Sequence, residues 1–147
     1  MFVEDDKLLE IVVYYKKTGR HYEAYSSNVF EEVGLLEDDQ EENRAEFKKL
    51  VIKARQLTWG LYNDLQEAAM VKDNLGNRNW NYKVYKENKL RSIIAKWDAQ
   101  MENDEGKMVK VPVTPMMIAK MSPDIAEVIL NSYDQLTLID EDAEKKS

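Results

Sequence analysis

The stretch LRSIIAKWDAQ, at residues 90–100, decides the fold together with the three segments that follow it. Those segments are ENDEGK (residues 102–107), VKVPVTPMMIAKM (109–121) and SPDIAEVILNSY (122–133). The first and last segments place apolar residues at helical spacing, and the middle ones indicate a polar turn and a short extended crossing. Thr114-Pro115 and Ser122-Pro123 each combine a capping side chain with proline at the first helical position, which predicts two helix starts.

The same periodicity extends backwards along the chain. Thr58 stands where a helix N-cap belongs, and the apolar residues after it predict a helix to about Met70. A polar loop is predicted for residues 72–81, followed by a second large helix from about Asn81 to Met101. These patterns predict the following core residues: Trp59, Leu65, Ile93, Ile94, Trp97, Ile125, Ile129 and Tyr133.

The N-terminal third has the composition of a small sheet. LLEIVVYYK at residues 8–16 is dense in strand formers, and a turn signal around Gly19 precedes an alternating stretch, which predicts a β-hairpin. A helix from Lys7 to Lys17 is the alternative, because some apolar positions also fit helical spacing. KKLVIKARQ at residues 48–56 alternates in polarity and predicts a third strand of the same sheet.

The fold class that follows is α+β in a single domain, residues 1–147. A small N-terminal antiparallel sheet, formed by a hairpin plus one strand, occupies residues 1–57 and includes an acidic loop at 37–42. A helical part, a bundle of about four helices, occupies residues 58–140, and a charged tail occupies 141–147. A length of 147 residues suits one domain with a real core.

Charge and composition exclude several classes of protein. The net charge of −7 argues against a general nucleic-acid binder, and the chain has no cysteine for disulfides, thiol chemistry or zinc–thiolate sites. No apolar run approaches the ~18 residues of a membrane span, and the acidic start differs from a signal peptide. We therefore expect a protein that is neither secreted nor held in a membrane.

No catalytic pattern stands out. His21 is the only histidine, the five glycines never cluster, and no hydrolase, metalloprotease or phosphate-loop motif occurs. Five carboxylates fall within residues 37–42, but a hard-cation loop needs spaced ligands and a turn-forming glycine, so this run indicates a solvated loop. We predict no enzymatic activity, no catalytic or metal-binding residues and no cofactor.

Aromatic and basic side chains alternate in WNYKVYK, residues 80–86. Three interpretations follow, in decreasing order of expectation. The tyrosines pack on the core, or the aromatic residues anchor a protein–protein interface, or they stack on nucleic-acid bases. The candidate partner-contact residues are Trp80, Tyr82, Tyr85 and Lys86.

Four features carry a resemblance to a known group of proteins. They are Thr58-Trp59-Gly60, Trp97, Val111-Pro112-Val113-Thr114 and Ser122-Pro123-Asp124-Ile125-Ala126. Their order between Leu50 and Leu136 resembles small tail-morphogenesis proteins of tailed bacteriophages, many of them tail assembly chaperones or minor virion proteins. The resemblance implies an α+β domain that works by contact with other phage structural proteins or with the tape-measure protein.

The resemblance implies a location in the virion or the host cytoplasm. Our expectation is a virion structural component of the tail, neck or baseplate. Two alternatives stay open: a transient tail assembly chaperone that binds the tape-measure protein, and a small acidic phage-encoded inhibitor of a host protein. In the inhibitor, residues 37–42 would mimic nucleic-acid charge. Formation of a homo-oligomer is a further alternative, whereas nucleic acid is not an expected partner.

Overall fold

The computed structural model describes residues 1–4, 7–36 and 46–146. Its strands are β1 (Leu8–Thr18), β2 (His21–Ser26), β3 (Lys48–Arg55), β4 (Met70–Lys72), β5 (Arg78–Trp80), β6 (Ile94–Trp97), β7 (Gln100–Glu102) and β8 (Met108–Lys110). The helices within these ranges are α1 (Ser27–Leu36), α2 (Trp59–Ala68), α3 (Tyr82–Ile93), α4 (Pro115–Ala119) and α5 (Pro123–Lys146). The α+β class predicted from the sequence is confirmed.

The central sheet has four antiparallel strands in the order β2-β1-β3-β6. β1 and β2 form the predicted hairpin, which turns at Gly19 with a positive φ of 64° that glycine adopts at little cost. β3 pairs with the other side of β1, with Ile52 opposite Ile11, as the alternating sequence predicted. β6 adds a fourth strand beyond β3, and the pairing contains an irregularity between Lys53 and Ala54.

The core lies on one face of this sheet. Residues Leu50, Ile52 and Ala54 alternate inward along β3, so that α3 and α5 cover a continuous apolar surface. The buried cluster contains Ile11, Val13, Leu50, Ile52, Ala54, Leu90, Ile93, Ile94, Ile118, Ile125, Ile129, Leu130 and Tyr133. On the opposite face, α1 stacks the ring of Phe30 on that of Tyr14, with the ring centroids 4.3 Å apart.

The residues after Ile93 correct one prediction. A single helix was predicted from Asn81 to Met101, but α3 ends at Ile93 and Ile94–Trp97 forms strand β6. Apolar spacing does not separate the two states over so short a stretch, and pairing with β3 decides between them. The indole N–H of Trp97 donates to the carbonyl of Val111 at 2.7 Å and ties this strand to the extended segment before α4.

The helices do not form the predicted C-terminal bundle. α1 follows directly on the first hairpin, and the C-terminal part contains two further hairpins, β4–β5 and β7–β8. The polar loop predicted at residues 72–81 is therefore the turn and second strand of β4–β5. Each of these strands has only three residues, with mostly exposed side chains, so the period-two alternation that signals a strand is lost.

The two short hairpins use the same turn. In the second, the side-chain oxygen Oδ1 of Asn103 accepts hydrogen bonds from the backbone N–H groups of Glu105 and Lys107, at 3.0 and 2.9 Å. Gly106 follows with φ of 78°, the conformation that closes the turn. Asp73 occupies in the β4–β5 turn the position that Asn103 occupies in the β7–β8 turn.

Seven of the eight predicted core residues pack in the interior. Leu65, Ile93, Ile94, Ile125, Ile129 and Tyr133 are buried, and Trp97 is partly buried against the core cluster. Trp59 corrects the prediction, because its side chain is 77% exposed and stacks on Tyr62. Thr58 caps α2 as predicted, so Trp59 lies in the first turn, and of the residues in α2 only Leu65 is buried.

The hydroxyl of Tyr133 fastens α5 to the end of β3. It donates to the carbonyl of Arg55 at 3.0 Å and accepts from the backbone N–H of Leu57 at 3.0 Å. These two bonds give partners to the carbonyl of Arg55 and the N–H of Leu57, where the chain leaves the sheet. Backbone polar groups in buried surroundings need such partners.

Candidate functional site

The hairpin β4–β5 connects α2 to α3. Asp73 organises its turn: Oδ1 accepts from the backbone N–H groups of Leu75 and Asn77, each at 2.9 Å. Oδ2 of the same carboxylate accepts from the side-chain amide of Asn79 at 3.0 Å. Gly76 closes the turn with φ of 84°. Because one side chain satisfies three donors, the short ribbon has a defined shape.

One side of this ribbon combines apolar and basic side chains. Met70 pairs with Trp80 and Lys72 pairs with Arg78 across the two strands. Residues that face each other in an antiparallel pair, and residues two apart on a strand, share a side of the sheet. The apolar pair therefore lies at the base of the ribbon and the basic pair near its tip, all on one side.

Helix α3 continues this surface. Asn81 caps the helix by accepting from the backbone N–H of Val84 at 3.2 Å, and its own N–H donates to the carbonyl of Ala69 at 2.7 Å. The cap thus joins the end of α2 to the start of α3. It places the Tyr85 ring 5.0 Å from the Trp80 ring, between centroids, and 6.4 Å from the Tyr82 ring.

We call Met70, Trp80, Tyr82 and Tyr85 the aromatic face, and Lys72 with Arg78 its cationic edge. Trp80 is 42% exposed and Tyr82 is 61% exposed, whereas Tyr85 is half-buried behind them. The structure brings together all four predicted partner-contact residues, because Lys86 lies over the Tyr82 ring, 5.0 Å from its centroid. The expectation that Tyr82 packs on the core is wrong, since this ring is mostly open to solvent.

Two lysines support the aromatic face from α3. Lys86 donates to Oε1 of Glu127 at 2.6 Å, and this hydrogen bond raises the pKa of Lys86 above its ordinary value. Lys89 is mostly buried and donates to Asp134 at 2.5 Å, with its Nζ over the rings of Tyr85 and Tyr133. Burial opposes the charge of Lys89, but the hydrogen bond and charge of Asp134 outweigh it and raise the pKa of Lys89. Both contacts hold α3 against α5.

Sequence reasoning missed Met70, Lys72 and Arg78 as parts of this surface. The sequence pattern predicts a helix end and a polar loop at these positions, because the strands are short and lack alternation. A usable signal was present in Asp73 followed three residues later by Gly76, between two short stretches that can pair.

Of the other exposed apolar residues, Leu75 lies in the turn between β4 and β5, and two further sets lie elsewhere in the chain. Trp59 and Tyr62 form a stacked pair near the start of α2. A further set belongs to the hairpin β7–β8 and consists of Met101, Met108 and Val109, and Met116 is exposed on α4. Within the part of the chain that the structure describes, no lysine lies over the ring of Trp59 or Tyr62, whereas lysines lie over the rings of Tyr82 and Tyr85.

The described residues contain no cluster of histidine, cysteine, aspartate or glutamate suited to a metal ion, and His21 is exposed in the hairpin. The acidic run at residues 37–42 lies outside the described residues. Within residues 1–4, 7–36 and 46–146, no helix combines the length and apolar character that a membrane span requires.

Comparisons with protein-family models, curated proteins and solved structures found no match to this chain.

The Asp73 turn predicts a specific pH response. The backbone N–H of Asn77 is the main group that holds the pKa of Asp73 below its ordinary value, followed by that of Leu75. Because the folded pKa is the lower one, the ionised carboxylate stabilises the hairpin above about pH 4 and this contribution is lost as the pH falls. In an NMR titration we expect the Leu75 and Asn77 amide signals to move with a midpoint below about 3.9.

The chain provides its own reference for this titration. Asp73→Asn reproduces the uncharged acceptor that Asn103 provides in the second hairpin, and we expect it to abolish the transition while keeping the turn. The Lys107 amide, which bonds to Asn103, should show no step at the Asp73 midpoint in either protein. A midpoint at or above about 3.9 would contradict the hydrogen-bonding pattern described for Asp73.

Proposed function

We propose that this chain is a non-enzymatic morphogenesis protein of a tailed phage that acts through protein–protein contacts, as a structural component of the tail, neck or baseplate. The phage context rests on the resemblance across residues 50–136. The contact mechanism rests on one observation, the exposed aromatic face on a rigid support. Tryptophan and tyrosine are enriched among residues that dominate the binding energy of protein interfaces.

The support behind the aromatic face favours binding. Lys89 lies over the Tyr85 ring and donates to Asp134 on α5. The exposed rings of Trp80 and Tyr82 therefore contact a ring whose position is fixed by this lysine. The Asn81 cap and the Asp73 turn fix the backbone on either side. A surface arranged before the partner arrives loses less conformational entropy on binding than a mobile one.

The location of the chain in particles tests this function. Intact particles from the source are purified and the chain is quantified by mass spectrometry against the major structural proteins. We expect a fixed copy number that is a multiple of three, six or twelve, as tail and neck symmetry requires. Absence from particles, with binding to a long helical protein in lysates, would favour the tail assembly chaperone. Absence from both would contradict the proposal and leave the host-protein inhibitor.

Substitution of the aromatic face should remove the chain from its assembly. We expect the double variant Trp80→Ala/Tyr82→Ala to lower incorporation at least ~10-fold in a complementation experiment, because a binding loss of about 1.4 kcal/mol has that effect. Both side chains are exposed, so the fold should persist, which circular dichroism checks. Incorporation is measured as the ratio of this chain to the major structural proteins.

Trp59→Ala is the matched control, since it removes a tryptophan that is still more exposed on another part of the surface. We expect its incorporation to equal that of the wild type. Loss with Trp59→Ala and retention with Trp80→Ala/Tyr82→Ala would place the contact surface at the start of α2 and refute its assignment to the aromatic face.

A further inference from the structure

The charges of this chain are unevenly distributed around the aromatic face. Residues 70–91 carry six basic and two acidic side chains, and the rest of the 147 residues carry 15 basic and 26 acidic ones. The segment that forms the aromatic face is therefore positive by four within a chain whose net charge is −7. Such a local excess attracts a partner of the opposite sign to this surface.

Of the six basic residues in this segment, Lys72, Arg78 and Arg91 form no ion pair within the described residues, and Arg91 already donates to Glu87 and Asn88 of its own helix. Lys86 and Lys89 already pair with Glu127 and Asp134. Lys72 and Arg78 are exposed, and neither forms an ion pair with another residue in the described part of the chain. They also lie directly opposite each other in the ribbon. Like charges in that position repel, and an anion placed between them would relieve the repulsion.

We propose that the aromatic face and its cationic edge bind an acidic polypeptide segment that carries apolar side chains. Its apolar residues contact Met70, Trp80 and Tyr82, and its carboxylates reach Lys72 and Arg78. The arginine offers a carboxylate two parallel N–H donors, which gives the contact direction as well as charge. This inference deepens the proposed function and rests on it, because it names the chemistry of the protein partner.

A polypeptide fits the surface better than a single-stranded nucleic acid does. Base stacking needs open ring faces, but the Tyr85 ring is contacted by Trp80, Tyr82 and Lys89, and Lys86 lies over the Tyr82 ring. Binding to the phosphate backbone needs several unpaired cations, and a net charge of −7 repels a polyanion over most of the surface. A short segment with a few carboxylates matches two cations beside an apolar patch.

Fluorescence polarisation with three labelled probes tests the proposal. The first is a 15-residue amphipathic peptide with leucine and phenylalanine on one side and glutamate on the other. The second has lysine in place of glutamate, and the third is a 15-nucleotide oligothymidine. We expect the wild-type chain to bind the acidic peptide and neither of the other two. No binding of the acidic peptide up to roughly 1 mM, or preferential binding of the oligonucleotide, would overturn the proposal.

Matched charge reversals locate the binding. We expect Lys72→Glu/Arg78→Glu to weaken binding of the acidic peptide at least tenfold and to create binding of the basic one. Lys107→Glu/Lys110→Glu makes the same charge change on the other exposed hairpin, and we expect less than a twofold effect. Equal effects of the two double variants would mean that net charge alone drives binding, and would overturn the proposal.

The single variant Lys72→Glu separates binding from stability. It replaces a repelling pair with an opposite-charge pair, so the hairpin becomes more stable while binding of the acidic peptide weakens. A loss of binding in this variant therefore does not come from unfolding. Unchanged binding with Lys72→Glu and with the double reversal would overturn the role of the cationic edge.

Incorporation into particles separates the two proposals. If Lys72→Glu/Arg78→Glu enters particles as the wild type does while Trp80→Ala/Tyr82→Ala does not, the acidic partner is wrong and the structural function stands. If the wild-type chain is absent from particles, the proposed function fails whatever the peptides show. The two failures therefore give different results.

Discussion

Replacing Ile52 with alanine is expected to lower the free energy of unfolding by about 2–5 kcal/mol. Ile52 has no exposed surface and lies at the centre of β3, opposite Ile11 on one side and Trp97 on the other. The truncation removes apolar contacts with both neighbouring strands and with the helices above them. Close packing lets such a site collapse only in part, so a cavity adds to the loss. Urea unfolding at 25 °C measures the change.

Val51→Ala provides the matched control for Ile52. Val51 is the preceding residue of β3, points to the other face of the sheet and is only partly buried. Alanine lowers the strand preference at both positions by a similar amount, so the difference between the two variants reports on core packing. We expect Val51→Ala to cost about 1 kcal/mol or less. Equal effects would contradict the placement of the core on one face.

Tyr133→Phe is expected to lower the free energy of unfolding by about 1–3 kcal/mol. The change keeps the buried ring but removes the hydroxyl, which leaves the carbonyl of Arg55 and the N–H of Leu57 without that partner. Burial is the main cause that raises the pKa of Tyr133, so the hydroxyl stays protonated at neutral pH and continues to donate. Thermal or urea unfolding measures the effect.

Tyr15→Phe is the control for the hydroxyl of Tyr133. Tyr15 is partly buried, and burial likewise raises its pKa, but its hydroxyl forms no hydrogen bond within the described ranges. We expect a change within about 0.5 kcal/mol. A Tyr133→Phe variant as stable as Tyr15→Phe would show that water replaces both lost bonds, and that α5 does not depend on this attachment.

The parts of the fold that the sequence predicted correctly have strong local signals. Thr58 and Thr114 cap their helices through side chains that accept a backbone N–H three residues later, as their positions before apolar runs indicated. The hairpin of β1 and β2 and the alternation along β3 follow from β-branched residues and a glycine turn. In each case the residues that determine the structure lie within a few positions of one another.

The errors arise where distant contacts decide the structure. Ile94 and Trp97 keep helical spacing with Leu90, yet the open edge of β3 pairs with them as a strand. No local property of residues 94–97 shows that this edge exists. Trp59 fits an apolar helical pattern, but the orientation of α2 against α3 buries Leu65 and leaves the tryptophan exposed. Such choices depend on packing between elements, which spacing does not encode.

For the same reason, only part of the candidate site could be predicted from the sequence. Trp80, Tyr82, Tyr85 and Lys86 are close in sequence, so their alternation alone indicates candidate contact residues. Met70 joins them only because a hairpin folds the chain back on itself. The local sequence therefore identified the aromatic residues of the aromatic face but not its cationic edge.

The three tryptophans differ enough in environment to act as optical reporters. Trp97 is partly buried and donates its indole N–H to a carbonyl, Trp59 is 77% exposed, and Trp80 belongs to the aromatic face. In a Trp59→Phe protein, a soluble quencher such as iodide would act mainly on the emission of Trp80. Protection of that emission on adding a partner would then report occupancy of the aromatic face from intrinsic fluorescence, with no label attached to the chain.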